Sequence, residues 1–144
     1  EIQDLIGSDI KFIQDNESLS QYGTLRGLHF QKEPYQQSKL IRVSHGEIQD
    51  VIVDLRKESK TYGVHESFNL SNSNNRQLFI PKGFAHAFLV LSGKAIVNYK
   101  SDNYYNQSSE SGISYKDSKL KIDWKLPLKD IIVSNKDKKL PQLS

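Results

Sequence analysis

Glu47-Ile48-Gln49-Asp50-Val51-Ile52-Val53-Asp54-Leu55 alternates apolar and polar side chains and then runs apolar, as a strand entering a core does. The runs around it read the same way. Lys39-Leu40-Ile41-Arg42-Val43 is short, partly β-branched and bounded by Gly46. His65-Glu66-Ser67-Phe68-Asn69-Leu70 alternates with period two. Arg76-Gln77-Leu78-Phe79-Ile80 stops at Pro81, and Ala87-Phe88-Leu89-Val90-Leu91 stops at Ser92-Gly93. Ala95-Ile96-Val97-Asn98-Tyr99-Lys100 follows at once, so Ser92-Gly93-Lys94 is expected to be a hairpin turn. Turn-rich stretches at 71–75 and 106–112 separate these runs. Only residues 1–6, ahead of Gly7, read as helix. No interval between strands holds a long amphipathic helix, which argues against a βαβ sheet. The expectation is an all-β fold, an antiparallel sandwich or barrel of the jelly-roll kind, with few short helices.

The 144 residues carry no internal repeat and no linker-like composition shift, so 1–144 is read as one domain. Hydrophobic residues are 36% and the mean hydropathy is −0.61, polar but with enough apolar material for a core. No apolar run approaches the ~20 residues of a membrane span, and no signal-peptide pattern opens the chain. The chain has no Cys, which removes disulfides, thiolate metal sites and a Cys nucleophile. A cytoplasmic location is the expectation. The chain also lacks Met, so Glu1 is not expected to be a native start. From Lys116 onward eight Lys face four acids, giving +4 and leaving −1 for the preceding 115 residues. That excess is too small to demand a polyanion, and a solvated surface is expected rather than nucleic-acid binding.

Four His are present. His29 and His86 sit among apolar and Gly residues, where an imidazole is either a satisfied core group or a placed functional one. His45 lies beside a turn and His65 in a solvent-patterned strand, and both read as structural. No two His lie two apart and no metal-ligand spacing emerges, so no metal is expected. His29, Lys39, Tyr99, Arg26 and an acid together suit another chemistry. A neutral imidazole can remove a carbon-bound proton beside a carbonyl, and an ammonium or second imidazole can steady the enolate oxygen. A phenol can return a proton from the opposite face, and an Arg can hold phosphate. Spacing alone does not select this reading.

Longer blocks do. Tyr22-Gly23-Thr24-Leu25-Arg26-Gly27-Leu28-His29-Phe30-Gln31, Ser38-Lys39-Leu40-Ile41-Arg42-Val43 and Gly46 through Arg56 closely resemble dTDP-4-dehydrorhamnose 3,5-epimerases. So do Arg76 through Ser92, Tyr99-Lys100-Ser101-Asp102-Asn103-Tyr104-Tyr105, Ile122-Asp123-Trp124 and Ser134-Asn135-Lys136-Asp137. The blocks follow the family order over nearly the whole chain. The resemblance implies a cupin-type jelly roll, a homodimer, no metal and no other cofactor. It implies a nucleotide-sugar substrate, a nucleoside-diphosphate 4-keto-6-deoxyhexose whose C4 carbonyl acidifies both C3–H and C5–H. It also implies that the family's N-terminal strand, with its Arg-Gly-x-Phe motif, belongs ahead of residue 1.

Roles follow position by position from the resemblance. His29 matches the base and Asp137 its carboxylate partner. Tyr99 matches the proton donor on the other ring face, and Lys39 the stabiliser of the C4 enolate oxygen. Arg26 and His86 match substrate contacts, and Gln14-Asp15-Asn16 a segment lining the nucleotide and sugar site. Tyr105 matches the aromatic stacked on the thymine, Glu110 a further binding position and Lys136 a basic one near the base. Three alternatives stay open: an epimerase acting at C3 or C5 alone, a non-catalytic sugar-nucleotide-binding cupin, and a metal-dependent cupin oxygenase, the last disfavoured by the missing His-x-His.

Overall fold

A computed structural model describes residues 1–144. A five-residue helix, α1 (Ile2–Ile6), ends at Gly7 as expected. The long strands are β1 (Gln14–Gln21), β2 (Thr24–Gln31), β3 (Lys39–His45), β4 (Glu47–Asp54), β5 (His65–Ser71), β6 (Gln77–Ile80), β7 (Phe84–Val90) and β8 (Lys94–Ser101). Two short strands, β9 (Glu110–Gly112) and β10 (Ile132–Val133), and a one-turn helix, α2 (Asn135–Lys138), follow. The strands form two sheets, β1-β8-β3-β6 and β10-β2-β7-β4-β5, with β9 added against β2. The antiparallel pairs β4–β5, β3–β6, β2–β7 and β1–β8 nest inside one another. That nesting is jelly-roll topology, as the strand pattern predicted.

One expected connection is different. Ser92-Gly93-Lys94 is not a hairpin turn, because β7 and β8 lie in different sheets. The segment carries the chain across the sandwich: Leu91 donates its N–H to Glu47 and the Gly93 carbonyl accepts from Tyr22. A short Gly-containing link between two apolar runs looks the same from sequence whether the strands pair or face each other. β4 also departs from simple alternation. Gln49 and Asp50 are both buried, since β4 is interior to its sheet and covered on both faces. Gln49 is satisfied there by the C-terminal segment, donating to the Asp123 carbonyl at 2.9 Å and accepting from the Lys125 N–H at 2.9 Å.

The core is split by the larger sheet. Ile41, Val43, Ile48, Leu70, Ile80, Phe88, Val90 and Val97 fill the space between the sheets. Leu28, Val51, Val53, Ala85 and Ala87 face the other way and are roofed by Ile113 and Leu120. Each such buried Leu, Ile, Val or Phe contributes about 1.5–3 kcal/mol. The roof is anchored by the Trp124 indole N–H, which donates to the Tyr115 carbonyl at 2.9 Å. Its far end carries β10 and α2 back against β2, in parallel at Ile132↔Thr24 and Val133↔Leu25. That return brings the C-terminal acid Asp137 to the mouth of the barrel. No helix is long and apolar enough to cross a membrane.

Candidate active site

A cavity of about 840 Å³ opens between the two sheets. The larger sheet supplies Arg26 and His29 from β2 and His86 from β7. The smaller sheet supplies Asn16 from β1, Lys39 from β3 and Tyr99 from β8. Lys136 and Asp137 of α2 close one side. Thus eight of the eleven residues singled out from sequence line one cavity, and the imidazole of His29 and the phenol of Tyr99 come from opposing walls.

His29 is held from the C-terminus. Its Nε2 lies 2.7 Å from Asp137 Oδ1, and Asp137 Oδ2 accepts the Gly27 N–H at 3.0 Å. Gly27 is needed here. Its φ is +117°, and a Cβ would lie 2.5 Å from the His86 carbonyl oxygen, so only glycine lets β2 approach β7 this closely. Ser134 caps α2 through its side chain, accepting from the Asp137 N–H at 3.1 Å, which fixes the backbone from which the carboxylate projects. Burial works to raise the Asp137 carboxyl, but the bonds from His29 and Gly27 outweigh it and leave it below the usual range. With Nε2 engaged, Nδ1 is the ring atom left for a substrate proton.

The remaining groups are tuned by burial. Burial pushes the Tyr99 phenol up, Arg26 opposes and Glu110 adds to the rise, so the hydroxyl stays protonated through neutral pH. Burial pushes the Lys39 ammonium down, while Asp50 and Glu110 pull it back. Its Nζ stands 5.6 Å from the centre of the Tyr99 ring. Arg26 is steadied by Ser20, whose Oγ accepts from Nε at 3.2 Å.

Gln14, Tyr105 and Glu110 lie beside the cavity rather than on its wall, tied to it by hydrogen bonds. Glu110 Oε2 accepts from Lys136 Nζ at 2.6 Å and from the Tyr105 hydroxyl at 2.7 Å. Burial raises the Glu110 carboxyl, yet those two donors bring it below its ordinary value. Gln14 donates to Asn16 Oδ1 at 3.2 Å and accepts from the Tyr105 backbone N–H at 3.1 Å. His45 and His65 stand away from the cavity. No three His, Asp or Glu side chains gather as a ligand set.

Sequence reading missed one member. Asp50 is fully buried and its Oδ2 lies 2.9 Å from His86 Nε2. In an alternating strand it reads as a solvent-facing polar residue. The available signal was that β4 turns continuously apolar immediately after it.

The dTDP-4-dehydrorhamnose 3,5-epimerase family model matches residues 1–144. A protein of that name from Methanothermobacter thermautotrophicus is 53% identical over 92% of this chain and 71% of its own length. The crystal structure of the dTDP-4-dehydrorhamnose 3,5-epimerase from Elizabethkingia anophelis superposes with a TM-score of 0.95 at 47% identity, covering 98% of this chain and 78% of that one. A third, the dTDP-6-deoxy-D-glucose-3,5-epimerase of Legionella pneumophila, was solved in complex with dTDP-4-keto-L-rhamnose. It superposes with a TM-score of 0.93 at 46% identity, over 97% and 73% of the two chains. Sequence blocks, cupin-like jelly-roll topology and the make-up of the cavity agree, and the chain belongs to the dTDP-4-dehydrorhamnose 3,5-epimerase family.

Proposed function

We propose that the chain inverts C3 and C5 of dTDP-4-dehydro-6-deoxy-D-glucose, giving dTDP-4-dehydro-L-rhamnose. The observation that carries this is the pairing of a carboxylate-held imidazole, His29, with a phenol, Tyr99, on opposite walls of one cavity. His29 Nδ1 takes the proton from the carbon next to the C4 ketone, and the C–H electron pair becomes the enolate π bond. Negative charge moves to the C4 oxygen, where the Lys39 ammonium and the His86 ring stabilise it. A fixed cation in a water-poor barrel typically contributes several kcal/mol, about 3 or more. Asp137 stabilises the imidazolium formed at His29 and holds its tautomer. The Tyr99 hydroxyl then protonates the opposite face, and the carbon is inverted. Solvent reprotonates Tyr99 and removes the proton from His29, so no net proton is consumed. The same ketone activates the second carbon for a repeat.

Binding follows the same layout. Arg26 and His86 face the substrate, Gln14 and Asn16 line the nucleotide and sugar site, and Tyr105 stacks on the thymine with Glu110 and Lys136 fixing its orientation. The hydrogen bond between Tyr105 and Glu110 supports that placement, because it holds the ring at one angle. The family likeness also supports a homodimer in a cytoplasmic setting, and sedimentation tests the dimer directly.

The test is turnover of the keto sugar nucleotide in deuterium oxide, followed by NMR. One deuterium at each of C3 and C5, with the L-configured product, is expected. Deuterium at one carbon alone assigns a single-carbon epimerase, and none at either rejects catalysis.

A further inference from the structure

We propose that Gln31 is a positioning residue for the nucleotide. Its buried amide grips the two peptide groups that flank Tyr105 and so sets the angle at which that ring meets the thymine. The role rests on the epimerase reading, in which Tyr105 stacks on the base.

Tyr105 needs holding. Tyr104 and Tyr105 are 63% and 54% exposed, so burial does not fix them. They lie between β8 and the turn at Gln107–Ser109, and neither makes a backbone–backbone hydrogen bond. A tyrosine left free in such a segment loses backbone and rotamer freedom when a base stacks on it. A ring already held loses less, and binding is tighter by that difference.

Gln31 holds the segment from beneath. It is 7% exposed, ends β2 and sits outside the main cavity. Nε2 donates to the Tyr104 carbonyl at 3.2 Å, and Oε1 accepts the Asn106 N–H at 2.8 Å. Those two groups belong to the peptide bonds immediately before and after Tyr105. Nε2 also donates to the Tyr35 carbonyl at 2.6 Å. Both amide protons and the amide oxygen are therefore used. A carboxylate would bring no donor and a hydroxyl only one.

The residue across the ladder completes the grip. Gln31 pairs with Glu110 of β9, whose Oε2 accepts from the Tyr105 hydroxyl at 2.7 Å. One rung of the β2–β9 ladder thus fixes Tyr105 at its backbone and at its ring tip. Asn106, held by Gln31, also caps the turn that leads into β9, its Oδ1 accepting the Ser109 N–H at 3.0 Å. Other side chains act on one side only: Gln37 donates to the Asn103 carbonyl, and Gln14 accepts the Tyr105 N–H. His29 lies two residues earlier on the same face of β2, so the Tyr105 ring is held in register with that imidazole.

The test is Gln31→Leu, which keeps bulk and removes all three bonds. The KM of the keto sugar nucleotide and the dissociation constant of dTDP, by calorimetry, should each rise about tenfold, with a smaller fall in kcat. In a Tyr105→Ala background the same substitution should change dTDP affinity by about twofold or less. Equal losses in the two backgrounds overturn the proposal, as does a fall in kcat larger than the rise in KM. Amide exchange of Asn106, followed by NMR without nucleotide, should be slow in the wild type and fast in Gln31→Leu. An amide unmoved by the substitution overturns the proposal. If Gln31→Leu does not fold, Gln31→Glu takes its place for the dTDP measurements, because it meets the Tyr104 carbonyl without a donor. If neither folds, the wild type decides: the Gln31 side-chain protons and the Asn106 amide should be protected together, and fast exchange of both overturns the proposal. Altered exchange in a chain that binds no dTDP removes the epimerase reading. Intact turnover with dTDP affinity unmoved by Gln31→Leu removes the Gln31 role alone.

Discussion

Two Asp–His pairs stand side by side in this cavity, and they are built differently. His29 and His86 are direct cross-strand partners in the β2–β7 ladder, and each offers Nε2 to a carboxylate. Asp137 arrives from the C-terminal helix, and both of its oxygens are engaged. Asp50 arrives from the middle of the sheet, with one oxygen engaged and the other bare. The His29 side chain is 31% exposed to the cavity and that of His86 only 10%. A base that must cycle through a charged state suits the open ring whose carboxylate is already satisfied. A group that must stay put suits the deeper ring on a carboxylate held inside the sheet. The roles proposed for two identical residue pairs thus differ because their surroundings differ.

Substitutions at the open pair should have the largest effects. His29→Ala removes the proposed base and should lower C3 and C5 exchange by about 10³–10⁴-fold, read as deuterium uptake by NMR. Retained exchange would break the distinction between the two rings. Asp137→Asn leaves an acceptor for only one of Gly27 and His29 and loses the charge proposed to steady the imidazolium. It should lower kcat by about 10²–10³-fold with a smaller change in KM, measured by steady-state kinetics. Because the Asp137 carboxyl lies below the usual range, its ionised form also stabilises the fold. That contribution is present above the unfolded carboxyl value of about 3.9 and fades as pH falls through the folded value.

Asp54 sharpens the contrast from outside the site. It is as deeply buried as Asp50, yet Arg56, Ser59 and Thr61 all donate to it, at 2.8, 2.6 and 2.7 Å to the same oxygen. The Arg56 guanidinium holds this carboxyl well below the ordinary range. Asp54→Asn should cost about 2 kcal/mol of stability by chemical denaturation and leave kcat unchanged. The loss should be full at neutral pH and shrink below about pH 4, where the unfolded carboxyl is protonated too.

The alternating apolar runs revealed the strands from β3 to β8, and with them the fold class; β9 lies in a stretch that reads as turn, and β10 is two residues long. Polar segments were less legible. β1 reads Gln-Asp-Asn-Glu-Ser-Leu-Ser-Gln, with no apolar face, because it is an edge strand whose inward side chains line the cavity rather than the core. The Ser92-Gly93-Lys94 link misled because local composition does not encode which sheet the next strand joins. The site divides similarly. His29, Tyr99, Lys39 and Asp137 were found through motif resemblance, not through spacing, since they lie up to 108 residues apart and meet only through the fold. Asp50 escaped because period-two patterning assumes one wet face, and β4 has none.

The most direct measurement compares Tyr99→Phe with the wild-type enzyme in deuterium oxide, scoring exchange and inversion separately at each carbon. If hydrogen leaves through His29 on one wall and returns through Tyr99 on the other, the variant should still wash deuterium into the substrate while accumulating little inverted product. Full-rate inversion at both carbons without the phenol would contradict a two-walled proton transfer.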